Sequence, residues 1–203
     1  MRGALLKGLW FLLAVTMASA LWPQAGRSDP TAVVLDAARA QIGKTIFYDG
    51  SYRRMGYPGG DVPLDRGVCT DVLIRAFRAA GVDLQVLVHE DMIRAFGAYP
   101  KAWGLSRPDS NIDHRRVPNL KVYFERHGKA LTTSNMAASY LPGDIVTWRL
   151  PSGVPHIGLV SSAMFPGGSR HLVIHNIGQG TQEEDILFLY SITGHYRYFT
   201  REA

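Results

Sequence analysis

Three side chains that lie far apart in the sequence have the chemistry of a nucleophile and its base. Cys69 is the only cysteine in the chain, and His156 and His175 fall in two consecutive β-type segments. A thiol beside an imidazole can attack a carbonyl carbon, with the imidazole as general base and a third polar group that holds the imidazole in one tautomer. The residue types therefore predict a Cys–His–His site with Cys69, His156 and His175 as its catalytic residues.

The segment that carries Cys69 has the periodicity of an amphipathic helix. Its apolar side chains recur at intervals of three and four residues, namely Cys69, Val72, Leu73, Ala76, Phe77 and Ala80. Gly81 provides a C-terminal stop, so the thiol lies in the first turn on the inward face. The positive end of the helix dipole and a neighbouring imidazolium both favour thiolate, and backbone N–H groups at a helix start can receive an oxyanion. We expect the thiol pKa to fall from about 8.5 to about 6, a stabilisation of about 3 kcal/mol.

The two histidines are predicted to meet on a β-hairpin. Its connection is centred near Phe165 and Pro166, and a turn symmetric about that bond places His156 directly opposite His175. Their Cβ atoms would then lie about 5 Å apart. A turn shifted by one whole residue keeps both side chains on the same face in a diagonal arrangement, whereas a bulge would separate them.

Helical patterns come first along the chain and strand patterns follow. Four helices are predicted. The first begins at Asp29-Pro30 and ends before Gly43, and the second begins at Cys69. The third contains His89, Ile93 and Phe96, and the fourth begins at Pro118 and ends before Gly128. Strands are predicted at 144–150, 156–162, 171–175, 186–192 and 196–200. This order predicts an α+β domain with the nucleophile helix packed on a small antiparallel sheet.

The first 20 residues have the layout of a secretory signal peptide. Arg2 and Lys7 precede an apolar stretch, and Ala18-Ser19-Ala20 forms a small-residue cleavage site. We predict a signal peptide at 1–20, a linker at 21–28 and one domain at 29–203. Removal of the signal lowers the net charge from +5 to +3, so charge does not indicate nucleic-acid binding. The mature protein is expected to be an exported, periplasmic monomer without stable membrane insertion.

Each candidate residue also has a simpler interpretation. A lone cysteine is often a small buried hydrophobe, and a lone histidine at a strand end is often structural. A zinc site would draw on His156, His171, His175 and Asp185. His171 and His175, however, are four residues apart on a strand and thus about 13 Å distant, which argues against it. We therefore expect neither metal nor cofactor. A non-catalytic module that binds cell wall remains the alternative, and it predicts that Cys69→Ala retains activity and that the thiol has ordinary reactivity.

A polar segment from Asn111 to Arg116 is a candidate contact for substrate. Its arginine side chains could clamp a carboxylate in bidentate fashion, and the alternative is a solvated loop with one ion pair. Trp103 and Trp148 could flank a groove, although a tryptophan in an apolar strand more often belongs to the core.

The order of these motifs resembles the NlpC-type papain-like hydrolases of bacterial cell walls. The matching segments are Gly67-Val68-Cys69-Thr70-Asp71, Pro155-His156-Ile157-Gly158-Leu159-Val160 and Leu172-Val173-Ile174-His175-Asn176. The mature chain is also similar to the YijF-like family of exported bacterial proteins, a domain of unknown function. That similarity is carried by the strings Arg66–Val72, Asn111–Leu120, Gly143–Trp148 and Gly194–Arg197.

The resemblance implies a papain-like fold and hydrolysis of an amide bond in peptidoglycan stem peptides. It implies that Cys69 is the nucleophile, His156 the base and His175 the orienting residue, with Asn176 as the fallback. The contacts expected for the peptidoglycan or muropeptide substrate are Tyr48, Asp71, His114, Arg115 and Arg116. Val68 and Thr70-Asp71 depart from the Asp and Ser-Gly that usually flank the nucleophile, so the exact substrate stays open. Cysteine before histidine favours amide hydrolysis over acyl transfer to lipid.

Overall fold

A computed structural model describes residues 28–200 of the 203-residue chain. The predicted signal peptide and all but the last residue of the predicted linker lie outside this range. Within it, no helix is long and apolar enough to cross a bilayer.

Four α-helices form where the sequence has capping residues and apolar periodicity. They are α1 (Pro30–Arg39), α2 (Cys69–Ala79), α3 (Leu84–Ala95) and α4 (Val117–Arg126). The Asp29 carboxylate caps α1 by accepting the Thr31 N–H at 2.9 Å, and Asp83 caps α3 by accepting the Gln85 N–H at 3.0 Å. These caps satisfy amides that a helix start otherwise leaves without partners. All four predicted helices are confirmed.

The strands form one six-stranded antiparallel sheet and one short parallel pair. The pair joins β1 (Phe47–Tyr48) to β2 (Arg66–Gly67). The sheet contains β3 (Ala130–Leu131), β4 (Ile145–Arg149), β5 (Pro155–Met164), β6 (His171–Asn176), β7 (Thr181–Glu184) and β8 (Ser191–Tyr196), in the spatial order β3-β8-β4-β5-β6-β7. The predicted α+β class is therefore confirmed, with strands at 145–149, 155–164 and 171–176 where they were expected.

The strand predictions near the C-terminus are wrong. The segment 186–190 turns instead of pairing, since the Leu189 N–H donates to the Ile186 carbonyl at 3.0 Å, and Ile186 and Leu187 pack into the core. The strand is β8, which overlaps the end of the first predicted strand and the start of the second. After β8, the Tyr198 ring packs edge-on against Phe77 of α2, and the Phe199 ring packs against Phe77 at a tilt.

Both faces of the sheet are covered. The helices pack on one face, where Ile145, Ile157 and Ile174 meet the apolar side of α2. On the other face, Trp148, Val160 and Val173 form a second cluster with loop residues that include Leu187. The nucleophile helix and the histidine strands thus belong to one packed unit in which α2 contacts both β5 and β6.

Candidate active site

Cys69 is the first residue of α2, as the sequence predicts, and it lies at the base of a pocket. Val68 precedes the helix in an extended conformation, and its N–H donates to the Asp71 carboxylate at 2.7 Å. This closes the helix start, and the amides of Cys69 and Thr70 act to lower the pKa of the thiol. The nucleophile pocket has a volume of about 480 Å³. We define it by Tyr48, Tyr52, Cys69, Trp103, Ile112, Arg116 and Pro155.

The sulfur lies beside the start of β5, the strand that carries His156. The backbone amide of Ile157 acts to lower the pKa of the Cys69 thiol, and Pro155 lines the same pocket. Both chain neighbours of His156 therefore border the thiol. The thiol and β5 are brought together by the packing of α2 on the helix-facing side of the sheet.

The two histidines form the centre of a hydrogen-bonded relay on three adjacent strands. Nε2 of His156 lies 3.1 Å from Nδ1 of His175, and Nε2 of His175 lies 3.0 Å from a carboxylate oxygen of Glu184. The imidazole rings meet edge to face, and Trp148 lies against His156 with ring centroids 5.8 Å apart. Both histidines are buried, whereas 46% of the Glu184 side chain is exposed.

The direction of these hydrogen bonds follows from Glu184. An ionised carboxylate only accepts, so Nε2 of His175 carries a proton and its Nδ1 is the acceptor. Nε2 of His156 must then be protonated, which leaves Nδ1 of His156 as the basic nitrogen. Glu184 thereby selects through His175 the tautomer in which His156 can accept a proton.

The hairpin register is diagonal, so the expectation that the histidines lie directly opposite is wrong. Leu159 pairs with Ile174 and Val160 with Val173, and this register continues to place Gly158 opposite His175. The backbone bond from Phe165 N–H to the Arg170 carbonyl makes the turn longer than predicted, and the register shifts again between Val160 and Met164. Period-two alternation nevertheless keeps both imidazoles on one face.

Glycine is required at position 158 by the close approach of β6. A Cβ there would lie 2.7 Å from Cγ1 of Val173 and 3.1 Å from Cβ of His175. The absence of a side chain at Gly158 lets His175 occupy the space beside His156.

Burial keeps the thiol and the base neutral, which corrects the expected low thiol pKa. Desolvation raises the pKa of Cys69 to about 12 despite the amide donors of Ile157 and Thr70, and the Asp71 carboxylate raises it further. Desolvation lowers the pKa of His156 to about 3, and His175 adds to that shift. Burial also lowers the pKa of His175, opposed by Glu184. The helix N-terminus is thus outweighed by the loss of water around the sulfur.

Asp71 and Arg115 form a buried ion pair, and Arg115 also lines the nucleophile pocket, so their expected contact with substrate stays a prediction. Nε and a terminal nitrogen of Arg115 donate to the two carboxylate oxygens at 2.8 and 2.9 Å, and both side chains are almost fully buried. The same guanidinium donates to the carbonyls of Ser51 and Asp49, each at 3.1 Å. Its donors are consumed within the protein, and they fasten the 49–51 loop to α2.

The remaining expected contacts are divided between the pocket and the core. His114 is buried outside the nucleophile pocket, and burial followed by the charges of Arg78 and Arg115 lowers its pKa to about 3. This position contradicts the expected contact with substrate. Arg116 does line the pocket, where its guanidinium stacks 4.1 Å from the Trp103 ring centroid and pairs with Asp113 at 3.1 Å.

Tyr48 lines the pocket near Cys69. Desolvation, followed by the neighbouring Cys69 and Asp71 side chains, raises the pKa of Tyr48 to about 12. Trp103 stands on the exposed rim, while Trp148 is fully buried beneath His156 and belongs to the core.

Asn176 does not take the third position of the relay. Its Nδ2 donates to the Gly67 carbonyl at 3.1 Å, two residues before Cys69, and it is fully buried. His175 is the residue bonded to His156, and its orienting role stays a prediction.

Comparison with known proteins places the chain among relatives. The family model described as "Domain of unknown function (DUF1287)" matches residues 35–198. The chain belongs to that family. It is 58% identical over 168 residues to "Uncharacterized protein YijF" of Escherichia coli (strain K12), covering 83% of this chain and 82% of that protein. A solved structure titled "Structure of NlpC1 from Trichomonas vaginalis" aligns with a TM-score of 0.48 and 16% identity, over 88% of this chain and 47% of that one.

Glu184 is the site residue that sequence reasoning missed. It lies at the end of β7, whose residues Thr181, Gln182 and Glu183 precede it without any apolar alternation. A polar edge strand of four residues gives no periodic signal, although the sequence shows two acidic residues eight and nine positions after the second histidine. Across residues 28–200, no group of three or more His, Cys, Asp or Glu side chains is arranged to hold a metal ion.

Proposed function

We propose that this protein is a cysteine hydrolase that cleaves an amide bond in peptidoglycan stem peptides. The observation that carries the proposal is the relay of His156, His175 and Glu184 beside a helix that begins with the chain's only cysteine. Packing alone does not require two buried histidines in one hydrogen-bonded line that ends on a carboxylate. Such a line orients a general base.

In the proposed reaction Cys69 attacks the carbonyl carbon while Nδ1 of His156 removes the thiol proton. The C–S bond forms as the carbonyl electron pair moves to oxygen, and the amides at the start of α2 and the Tyr48 hydroxyl stabilise that oxyanion. The tetrahedral intermediate collapses with loss of the amine, which takes the proton from His156 and leaves a thioester. Water then hydrolyses the thioester, with His156 again as base, to release the carboxylic acid and the thiol.

Because the resting thiol is neutral, proton removal is proposed to accompany attack. A pKa of about 12 for Cys69 and of about 3 for His156 disfavours a thiolate–imidazolium pair before substrate arrives. Substrate binding thus precedes charge separation in this scheme.

The deciding experiment uses purified muropeptides and mass spectrometry. The wild-type protein is expected to yield fragments whose masses sum to the substrate plus one water, and Cys69→Ala and His156→Ala are expected to yield none. The matched control is His127→Ala, because His127 lies on the exposed end of α4 and pairs with Asp91. Intact muropeptides with the wild-type protein, or equal cleavage by Cys69→Ala, would overturn the proposal.

The second candidate is a non-catalytic protein of the cell envelope that binds peptidoglycan. The neutral, buried thiol favours it, because an ordinary buried cysteine has the same properties. It predicts sedimentation with insoluble peptidoglycan that Cys69→Ala leaves unchanged, without any hydrolysis by either protein.

We also propose that the chain is exported to the periplasm after cleavage behind Ala20. Cell fractionation of the full-length chain and of a variant lacking residues 2–20, with the mature N-terminus read by mass spectrometry, tests this. Retention of the full-length chain in the cytoplasm with residues 2–20 intact would contradict it.

A further inference from the structure

A second cavity adjoins the nucleophile pocket. This basic pocket has a volume of about 620 Å³ and is defined by Tyr52, Arg54, His89, Arg107, Asp109 and Asn111. Tyr52 lines both cavities. Two pairs of consecutive residues also connect the cavities. Trp103 and Ile112 line the nucleophile pocket, and their chain neighbours Gly104 and Asn111 line the basic pocket. A ligand longer than one residue can therefore occupy both cavities at once.

The charged residues that line the basic pocket are two arginines and one carboxylate. Arg54 and Arg107 are exposed, and in the described range neither forms an ion pair. Nδ1 of His89 is buried without a hydrogen-bond partner among the described residues. The single carboxylate in the lining, that of Asp109, offsets one of the two arginine charges, so the lining keeps a net positive charge.

Hydrogen bonds fix Asp109 in place. One oxygen accepts from the Tyr52 hydroxyl at 3.0 Å, and the other accepts from the backbone and side-chain nitrogens of Asn111 at 2.9 and 2.7 Å. Asp109 therefore stabilises the wall between the two cavities.

The loops that carry the two arginines are held together by buried polar contacts. Nε2 of Gln85 donates to the carbonyls of Gly56 and Ser110, each at 3.0 Å, and Gln85 is 1% exposed. Asn111 accepts the Met55 N–H at 2.9 Å. A cavity whose walls are fixed before binding loses little conformational entropy when a ligand arrives.

We propose that the basic pocket is a second substrate subsite that binds a carboxylate of the peptide whose amide lies at Cys69. Guanidinium groups bind carboxylates through paired N–H donors, and the exposed side chains of Arg54 and Arg107 offer such donors in this lining. The proposal rests on the proposed function, and it narrows the substrate to peptides with a free carboxylate within reach of the scissile bond.

The test compares synthetic stem tripeptides that carry either a free carboxylate or a carboxamide at the second residue. The wild-type protein is expected to favour the carboxylate peptide in kcat/KM by about 10-fold to 100-fold, the range for a charged hydrogen bond. The double variant Arg54→Gln/Arg107→Gln is expected to lose this preference through KM, with kcat for the carboxylate peptide changed less than threefold. Arg94→Gln is the matched control, because Arg94 is exposed on α3 and pairs with Glu90.

Binding to the inactive Cys69→Ala variant separates this inference from the proposed function. Calorimetry is expected to give a Kd for the carboxylate peptide at least 10-fold below that for the carboxamide, and the two arginine substitutions are expected to remove the difference. If no peptide is cleaved but this difference appears, the proposed function fails and the subsite stands. Equal Kd values for the two peptides, or equal kcat/KM values with cleavage intact, would overturn the subsite.

Discussion

The neutral thiol predicts a distinctive response of Cys69 to an alkylating agent. Desolvation raises the pKa of Cys69 from 9.0 to about 12, which corresponds to about 4 kcal/mol of preference for the protonated form. At pH 7 the thiolate fraction is then about one part in 100,000, against about 3% for a thiol of pKa 8.5. We expect iodoacetamide to react with the folded protein at least 100-fold more slowly than with a small thiol.

The pH dependence gives the sharper measurement. Since only the thiolate reacts, the alkylation rate is expected to rise about tenfold for each pH unit from 7 to 9, with no plateau in that range. The same protein in urea is the control and should titrate as an ordinary cysteine, because unfolding removes the desolvation. A plateau with an apparent pKa below 7 in the folded protein would refute the reasoning from burial.

Burial of His156 also determines the acidic pH at which the proposed hydrolysis is expected to fall. His156 must be neutral to accept a proton, and its pKa is lowered to about 3. The proposed hydrolytic activity is therefore expected to persist at pH 5 and to fall only as the pH approaches 3. A half-maximal rate near pH 6.5 would show that the base titrates like a solvated imidazole.

Other substitutions test the supports of the site. Asp71→Asn is expected to destabilise the fold by about 3–5 kcal/mol, because it leaves Arg115 buried without its charged partner. Thermal unfolding measures this loss. The control is Asp36→Asn at an exposed position of α1, which should cost less than about 0.5 kcal/mol. Glu184→Gln is expected to lower kcat by about threefold to tenfold with the melting temperature unchanged, since solvent screens this half-exposed carboxylate; an unchanged kcat would remove it from the relay. Gly158→Ala is expected to destabilise by about 1–3 kcal/mol through its clash with β6, and wild-type stability in denaturant would contradict that.

The parts of the site carried by strong periodic patterns were predictable from the sequence. Cys69 was placed in the first turn of α2 by the apolar spacing of that helix, and the two histidines were placed on one face by strand alternation. Both inferences depend only on local geometry, which the structure reproduces.

The parts that depend on contacts between distant segments were not predictable. The pairing of Asp71 with Arg115 joins residues 44 positions apart, and sequence alone offered the arginine to a substrate instead. The thiol pKa was misjudged because helix charge is visible in a sequence, whereas the loss of water around a side chain depends on the whole packed structure. Glu184 was missed because β7 has no apolar alternation, and its role depends on being the edge strand next to β6.

The Asn176 side chain couples two regions of the molecule that the chain itself connects only through more than 100 residues. By donating a hydrogen bond to the Gly67 carbonyl, this side chain fastens β6 to the segment that precedes α2. A shift of α2 along the sheet would break this hydrogen bond and leave the buried Asn176 amide without a partner. Divergence in this family is therefore expected to be tolerated in the loops around the two cavities, while the spacing between sulfur and imidazole stays constant.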